Sequence, residues 1–190
     1  MAIEDVAAPT DQIESAEATL VVLQDVLGGV GATDLTRQTP CTEFDVAKLT
    51  DHLMNSITAI GGAAGATFPP RDPDASPLAQ VSAAADAALD AWRRRGLDGT
   101  VSIRSNQVPA IVAAGVLSIE FLVHAWDYAV ATGQRITLPE PVADYVLGLA
   151  SRIITPQGRT AVGFADPVDV PADADAFEQL IAFTGRTPRG

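Results

Sequence analysis

The stretch PAIVAAGVLSIEFLVHAWDYAVATG, residues 109–133, decides the fold class. Pro109 fits the first turn of an α-helix, where its missing N–H is not needed, and Gly133 fits the end of that helix. The residues between them are apolar on nearly every side, which is typical of a buried helix. Glu120 and His124 interrupt the apolar run, so its uninterrupted part is well short of the roughly 20 residues that span a bilayer. We therefore predict a central core helix and no membrane partner.

Further helices are predicted around this one, because apolar residues recur every three to four positions between helix-end signals. Thr42 is predicted to be the N-cap of the second helix, with Asp45 three residues later in a capping-box arrangement. Weak alternation predicts a short strand or hairpin over 99–108, and brief extended runs are expected around Val162 and Val168. The remaining predicted helices cover residues 14–26, 43–60, 78–95, 142–154 and 175–183.

These elements predict an all-α fold in one domain that spans residues 1–190. Four main helices would form a bundle over about residues 12–156. A small irregular or β C-terminal addition would follow over about residues 157–190. An apolar helix face left uncovered by such a short chain could support a homodimer.

Composition excludes several function classes. Of the 190 residues 47% are hydrophobic, and 24 acidic residues against 12 basic ones give a net charge of −12. Such a chain repels phosphate backbones and anionic lipid, so we expect no nucleic acid and no membrane among its partners. The single cysteine, Cys41, excludes an internal disulfide and fits a reducing compartment. Because the first residues are acidic where a secretory signal would be basic, the expected location is the cytoplasm.

The chain has only two histidines, His52 and His124, and both fall within predicted helices. Glu120 lies four residues before His124, so the two side chains share a helix face. A buried, ionised glutamate is costly unless it is paired, and no arginine lies within two turns on its own helix. With His52 from the second helix, the set is two imidazoles and one carboxylate, as in open catalytic metal sites. The alternative is a pair of hydrogen-bonded core histidines, and spacing alone leaves both open.

Two neighbouring residues carry weaker hypotheses. Asp127 lies one turn beyond His124 and could hold its second ring nitrogen, as carboxylates near metal sites do. It could equally be exposed to solvent or pair with Arg135. Cys41 is predicted just before a helix start, where the helix dipole would lower the pKa of its thiol. The alternative for Cys41 is a small buried residue that neither attacks a substrate nor binds a metal.

Several motifs resemble the DinB-like superfamily, and in particular its actinobacterial branch related to mycothiol-dependent maleylpyruvate isomerase. They are TPCTEFD at 39–45 followed by DHL at 51–53, EFLVHAWD at 120–127, ATG at 131–133 and LIAFTGR at 180–186. The resemblance implies a four-helix bundle that binds a divalent metal ion through His52, Glu120 and His124. The isomerase has an additional C-terminal domain that helps complete its active site, and we expect this chain to be too short to hold one. The resemblance therefore predicts the metal-binding residues more specifically than it predicts the substrate.

Three functions are compatible with such a site. The first is a transferase or isomerase that uses a low-molecular-weight thiol, mycothiol, against a small electrophile. The expected ion is zinc, with nickel, iron or manganese as alternatives. The second is a metal-dependent hydrolase, for which Asp127 and Glu43 are the nearest general-base candidates in the sequence. The third is a metal- or ligand-binding module without turnover. Two histidines and a carboxylate also match non-haem iron oxygenases, which we rank behind these three.

Overall fold

The structure is a computed structural model that describes residues 7–159 and 163–188. Within these ranges the chain forms six α-helices and one antiparallel sheet of two strands. The elements are α1 (Gln12–Gly28), α2 (Val46–Ala63), α3 (Pro77–Arg95), β1 (Thr100–Ile103), β2 (Asn106–Pro109), α4 (Ala110–Thr132), α5 (Glu140–Ile153) and α6 (Ala176–Phe183). The prediction of an all-α fold with a small β component is confirmed.

Helices α1 to α4 form the predicted bundle. α4 packs against α1 and α2, and α3 closes the ring by packing against the same two helices. α5 covers α4 and α1, while α6 packs on α5 and touches α4. One hydrophobic core runs through these layers and includes Leu180 of α6. The C-terminal helix is therefore packed onto the bundle and lies within reach of α4.

Helix α4 is the core helix that the sequence predicted. It begins after Pro109 and ends at Gly133, whose φ of 72° is the left-handed conformation that glycine adopts most easily. By length and by its mean hydropathy of 1.5 it could cross a membrane, but 72% of its most apolar window is buried against the rest of the protein. Its apolar surface is thus covered by neighbouring helices.

The start of α2 corrects the predicted cap. Asp45, not Thr42, is the N-cap, and its carboxylate accepts a hydrogen bond of 2.8 Å from the backbone N–H of Lys48. The residues before it form a turn in which the N–H of Phe44 donates to the carbonyl of Cys41. Cys41 is therefore separated from the first turn of α2 and, contrary to the prediction, does not lie directly before the helix start.

The β structure lies between α3 and α4, as predicted for residues 99–108, with Val101 paired to Val108. In the C-terminal addition, the extended run expected around Val168 forms no strand within the described residues. The N–H of Val168 donates instead to the carbonyl of Ala182, near the end of α6. Val162 lies outside the described residues. The short helix predicted over 175–183 is confirmed as α6.

Close packing between α2 and α3 gives the first testable prediction. A Cβ atom at Gly61 would lie 2.6 Å from the Cβ of Ala88 and 2.9 Å from the ring of Phe68. We expect Gly61→Ala to lower the free energy of unfolding by about 1–3 kcal/mol because the helices must separate. Its neighbour Gly62 has nothing within 4 Å of the same position. Gly62→Ala should therefore raise the free energy of unfolding by about 0.5–1 kcal/mol through helix propensity alone. Urea unfolding of both variants tests this, and equal effects would contradict it.

Candidate metal centre

The structure brings the two histidines and Glu120 together between α2 and α4. His52 projects from α2, and Glu120 and His124 project from one face of α4, one turn apart. One nitrogen or oxygen atom from each side chain lies within 4.8 Å of the other two. The arrangement arises because α2 and α4 are neighbours in the bundle and each directs these polar groups into their shared interface.

One oxygen of the Glu120 carboxylate, Oε2, is buried without a hydrogen-bond partner among the described residues. It lies 3.7 Å from Nε2 of His52 and 3.6 Å from Nε2 of His124, too far for hydrogen bonds. Ligand atoms on a tetrahedral zinc ion, at 2.0–2.1 Å from the metal, are about 3.4 Å apart. The spacing therefore fits an ion held in common by the three side chains.

His52 forms the open side of the centre. Its side chain is 38% exposed, whereas those of Glu120 and His124 are 12% and 7% exposed. Phe44 stacks on the His52 ring with centroids 5.1 Å apart, and the His124 ring meets it edge-on at the same distance. Phe44 thus restricts the His52 ring from the loop before α2, and His52 is the member of the cluster most exposed to solvent.

His124 is held from behind by a buried ion pair. Its Nδ1 atom lies 2.9 Å from Oδ2 of Asp127, which is fully buried. Arg186, just beyond α6, donates from Nε to Oδ1 of Asp127 at 2.8 Å and from an Nη atom to Oδ2 at 2.7 Å. The hypothesis that Asp127 holds the second ring nitrogen of His124 fits this geometry, and the alternatives of an exposed Asp127 or a pair with Arg135 do not.

No role for Arg186 was predicted from the sequence. The residue closes the LIAFTGR motif that carried part of the resemblance, and this was the available signal. Cys41 and Glu43, in contrast, do not join the centre. Cys41 is half-buried in the turn before α2, Glu43 is exposed there, and neither belongs to the cluster of ligand atoms among the described residues.

The charges of the centre are set by burial and by these contacts. Burial alone would lower the pKa of His124, but its contacts with Asp127 and Glu120 outweigh burial and raise the pKa to about 9. Burial would raise the pKa of both carboxyl groups. The contacts of Glu120 with the two histidines, and those of Asp127 with His124 and Arg186, lower these pKa values instead. The pKa of His52 is lowered by burial and by His124. Without a metal ion, the His124 ring is therefore protonated and positively charged at neutral pH.

Comparison with known proteins gives a family match and similar sequences. Residues 16–129 match the family model described as the mycothiol maleylpyruvate isomerase N-terminal domain. Two uncharacterized proteins of Mycobacterium tuberculosis, from strains CDC 1551 / Oshkosh and ATCC 25618 / H37Rv, are each 34% identical over 166 residues. These alignments cover 86% of this chain and 91% of each relative. No solved structure matches.

The family match covers more than half of the chain and runs from α1 into the last turn of α4. It contains all three residues of the cluster together with Asp127, whereas Arg186 lies beyond it. The chain therefore belongs to the family of the mycothiol maleylpyruvate isomerase N-terminal domain.

Proposed function

We propose that the protein binds a divalent metal ion through His52, Glu120 and His124 and acts as a mycothiol-dependent transferase or isomerase on a small electrophile. The observation that carries the proposal is the buried Oε2 atom of Glu120, which faces two Nε2 atoms and has no hydrogen-bond partner among the described residues. Zinc suits two imidazoles and one carboxylate with a position left for a small molecule, and nickel, iron and manganese remain alternatives.

Each residue has a distinct part in this proposal. His124, fixed by Asp127, and Glu120 form the buried side, and His52 forms the side on which the thiol and the substrate enter. The ion, when bound, supplies the positive charge that keeps a thiol ionised at neutral pH. The family description points to mycothiol as that thiol. The single cysteine and the burial of α4 fit a location in the cytoplasm, where such thiols are kept reduced.

Hydrolysis has less support from the site. Asp127, one candidate for a general base, is committed to His124 and Arg186 and is fully buried. Glu43, the other candidate, is exposed in the turn before α2. A general base must lie within hydrogen-bond reach of the proton that it removes, and neither residue offers a free carboxylate beside the cluster.

The metal itself is tested by elemental mass spectrometry on protein purified without an affinity tag. We expect close to one divalent ion per chain in the wild type and loss of that ion in His52→Ala and Glu120→Ala. Asn55→Ala serves as the matched control, because Asn55 is an exposed polar residue one turn from His52 on α2. Wild-type protein that binds no metal after reconstitution would contradict the proposal.

The thiol is tested by calorimetry on the zinc-loaded protein. We expect mycothiol to bind and its S-methyl derivative, which cannot ionise at sulfur, to bind at least tenfold more weakly. Incubation with mycothiol and a panel of small electrophiles should then yield conjugates or isomers. Metal-loaded protein that binds mycothiol and its S-methyl derivative equally well would contradict the thiol-dependent activity and leave a metal-binding module without turnover.

A further inference from the structure

We propose that Arg186 is a positioning residue for the metal centre and acts on His124 through Asp127. The inference rests on the proposed metal function and extends it to a segment outside the family match, which ends at residue 129. Arg186 does not belong to the cluster of ligand atoms, so its effect on the centre must pass through the buried carboxylate of Asp127.

The first link is the pair between Arg186 and Asp127. Two nitrogens of the guanidinium group meet the two carboxylate oxygens at 2.8 and 2.7 Å, a parallel arrangement that fixes orientation as well as distance. The Asp127 side chain is fully buried and that of Arg186 is 12% exposed, so water screens the pair only weakly. Without Arg186, the contact with His124 would be the one hydrogen bond left to the carboxylate within the described residues.

The second link runs from Asp127 to the imidazole of His124. Oδ2 of Asp127 accepts a hydrogen bond from the N–H at Nδ1, at 2.9 Å. Once the ring is neutral, as it must be to bind a metal ion, a proton kept on Nδ1 leaves the lone pair on Nε2, the nitrogen that faces Glu120. The carboxylate therefore selects the tautomer and fixes the ring plane that metal binding needs.

The third link is the backbone that delivers Arg186 to this place. Helix α6 ends in a paired turn in which the N–H of Arg186 donates to the carbonyl of Ile181 and that of Gly185 to Ala182. Gly185 has a φ of 83°, and a Cβ atom there would lie 2.7 Å from the Cβ of Ala165 and 2.9 Å from its carbonyl carbon. This turn needs glycine, and it directs the next residue back toward α4.

Arg159 offers a matched control in the same region. It is buried and donates to the carbonyls of Phe183 and Ala165 at 2.6 and 3.0 Å, and its guanidinium lies over the Phe183 ring. Arg159 thus anchors the end of α6, as Arg186 does, but it forms no hydrogen bond with Asp127. A variant at Arg159 loosens the segment without breaking the chain of contacts to His124.

The experiment measures zinc dissociation constants by competition with a chromophoric chelator. We expect Arg186→Gln and Asp127→Asn to bind zinc 10–100-fold more weakly than the wild type, as is typical when such supporting partners are lost. Arg159→Gln should stay within about threefold even where its melting temperature falls. Arg186→Lys, which keeps the charge but not the paired contacts, should lie between Arg186→Gln and the wild type. The double variant of Arg186→Gln and Asp127→Asn should be no weaker than Asp127→Asn alone.

A second measurement observes His124 directly. In cobalt-substituted protein the N–H of each metal-bound imidazole gives a shifted, exchangeable proton resonance. The buried N–H of His124 should exchange slowly in the wild type and in Arg159→Gln, and quickly in Arg186→Gln. Equal losses of zinc affinity in Arg186→Gln and Arg159→Gln, or slow exchange of the His124 N–H in both, would overturn the role of Arg186. These results would leave the proposed metal function intact. Wild-type protein that binds no zinc would overturn the proposed metal function as well.

Discussion

Wild-type protein with free zinc at 1,000 times the dissociation constant is expected to gain about 4 kcal/mol in free energy of unfolding over chelator-treated protein. The reason is that His52 lies on α2 and the other two ligands lie on α4, so only the folded chain brings them within 4.8 Å of one another. An ion that binds only the folded state stabilises it by mass action. Urea unfolding at a series of free zinc concentrations measures the gain and its dependence on concentration.

Glu120→Gln provides the decisive control for this result. The substitution keeps the size of the side chain and replaces the carboxylate by an amide, which is a poor ligand for zinc. Its free energy of unfolding should therefore change little with zinc. A gain in Glu120→Gln equal to that of the wild type would mean that zinc binds elsewhere, for example to the exposed acidic residues of this anionic chain.

The candidate site could be predicted because its information is local. Glu120 and His124 are four residues apart, which places them on one face of any helix that contains both. With only two histidines in the chain, His52 was the one imidazole left to complete the set. The fold was predictable because helix-end signals are also local. Prolines and glycines in the sequence mark the ends of α3 and α4, and the structure places the helix ends at these residues.

The cap of α2 could not be predicted, because two good capping residues lie close together. Thr42 and Asp45 both suit an N-cap, and the choice depends on the preceding loop. There the side chains of Gln38 and Thr39 both donate to the carbonyl of Phe44, which holds residues 41–44 in a turn. These contacts favour a helix start at Val46, and no local pattern in the sequence shows them.

The role of Arg186 could not be predicted from the sequence, for a different reason. The residue lies 59 positions from Asp127 in the chain, and it is one of eleven arginines. The helix pattern showed that Asp127 could reach His124, but it could not show which cation would neutralise the buried carboxylate. Arg135 was the nearest arginine in sequence, whereas the partner comes from the C-terminal segment. Long-range pairs of this kind depend on packing, here the packing of α6 near α4.

In metal-free protein, the free energy of unfolding is expected to fall by about 3 kcal/mol as the pH rises from 6.5 to 9. The pKa of His124 rises from its ordinary 6.5 to about 9, because its contacts with Asp127 and Glu120 outweigh burial. A group with a raised pKa in the folded state stabilises that state fully below its unfolded pKa. This contribution is lost as the pH rises through the folded pKa. Urea unfolding in the presence of a chelator, at constant ionic strength, measures the decline.

The neighbouring groups keep their charges over this range. The pKa values of Glu120 and Asp127 are lowered, so both carboxylates stay ionised above pH 6.5. The pKa of His52 is lowered as well, so this ring stays neutral there. Within the centre, His124 is then the group whose protonation changes, and the decline should correspond to the loss of one proton.

Two controls separate this explanation from a general effect of pH. Asp127→Asn removes one of the two carboxylates that hold the proton on His124, so its decline between pH 6.5 and 9 should be markedly smaller. In zinc-saturated wild-type protein, His124 must release the same proton to bind the ion, and the decline should disappear. A decline of equal size in all three samples would place its origin outside the centre. If zinc binding abolishes the fall in the free energy of unfolding, the ion and the proton compete for Nε2 of His124. We expect this competition because that atom faces Nε2 of His52 and Oε2 of Glu120.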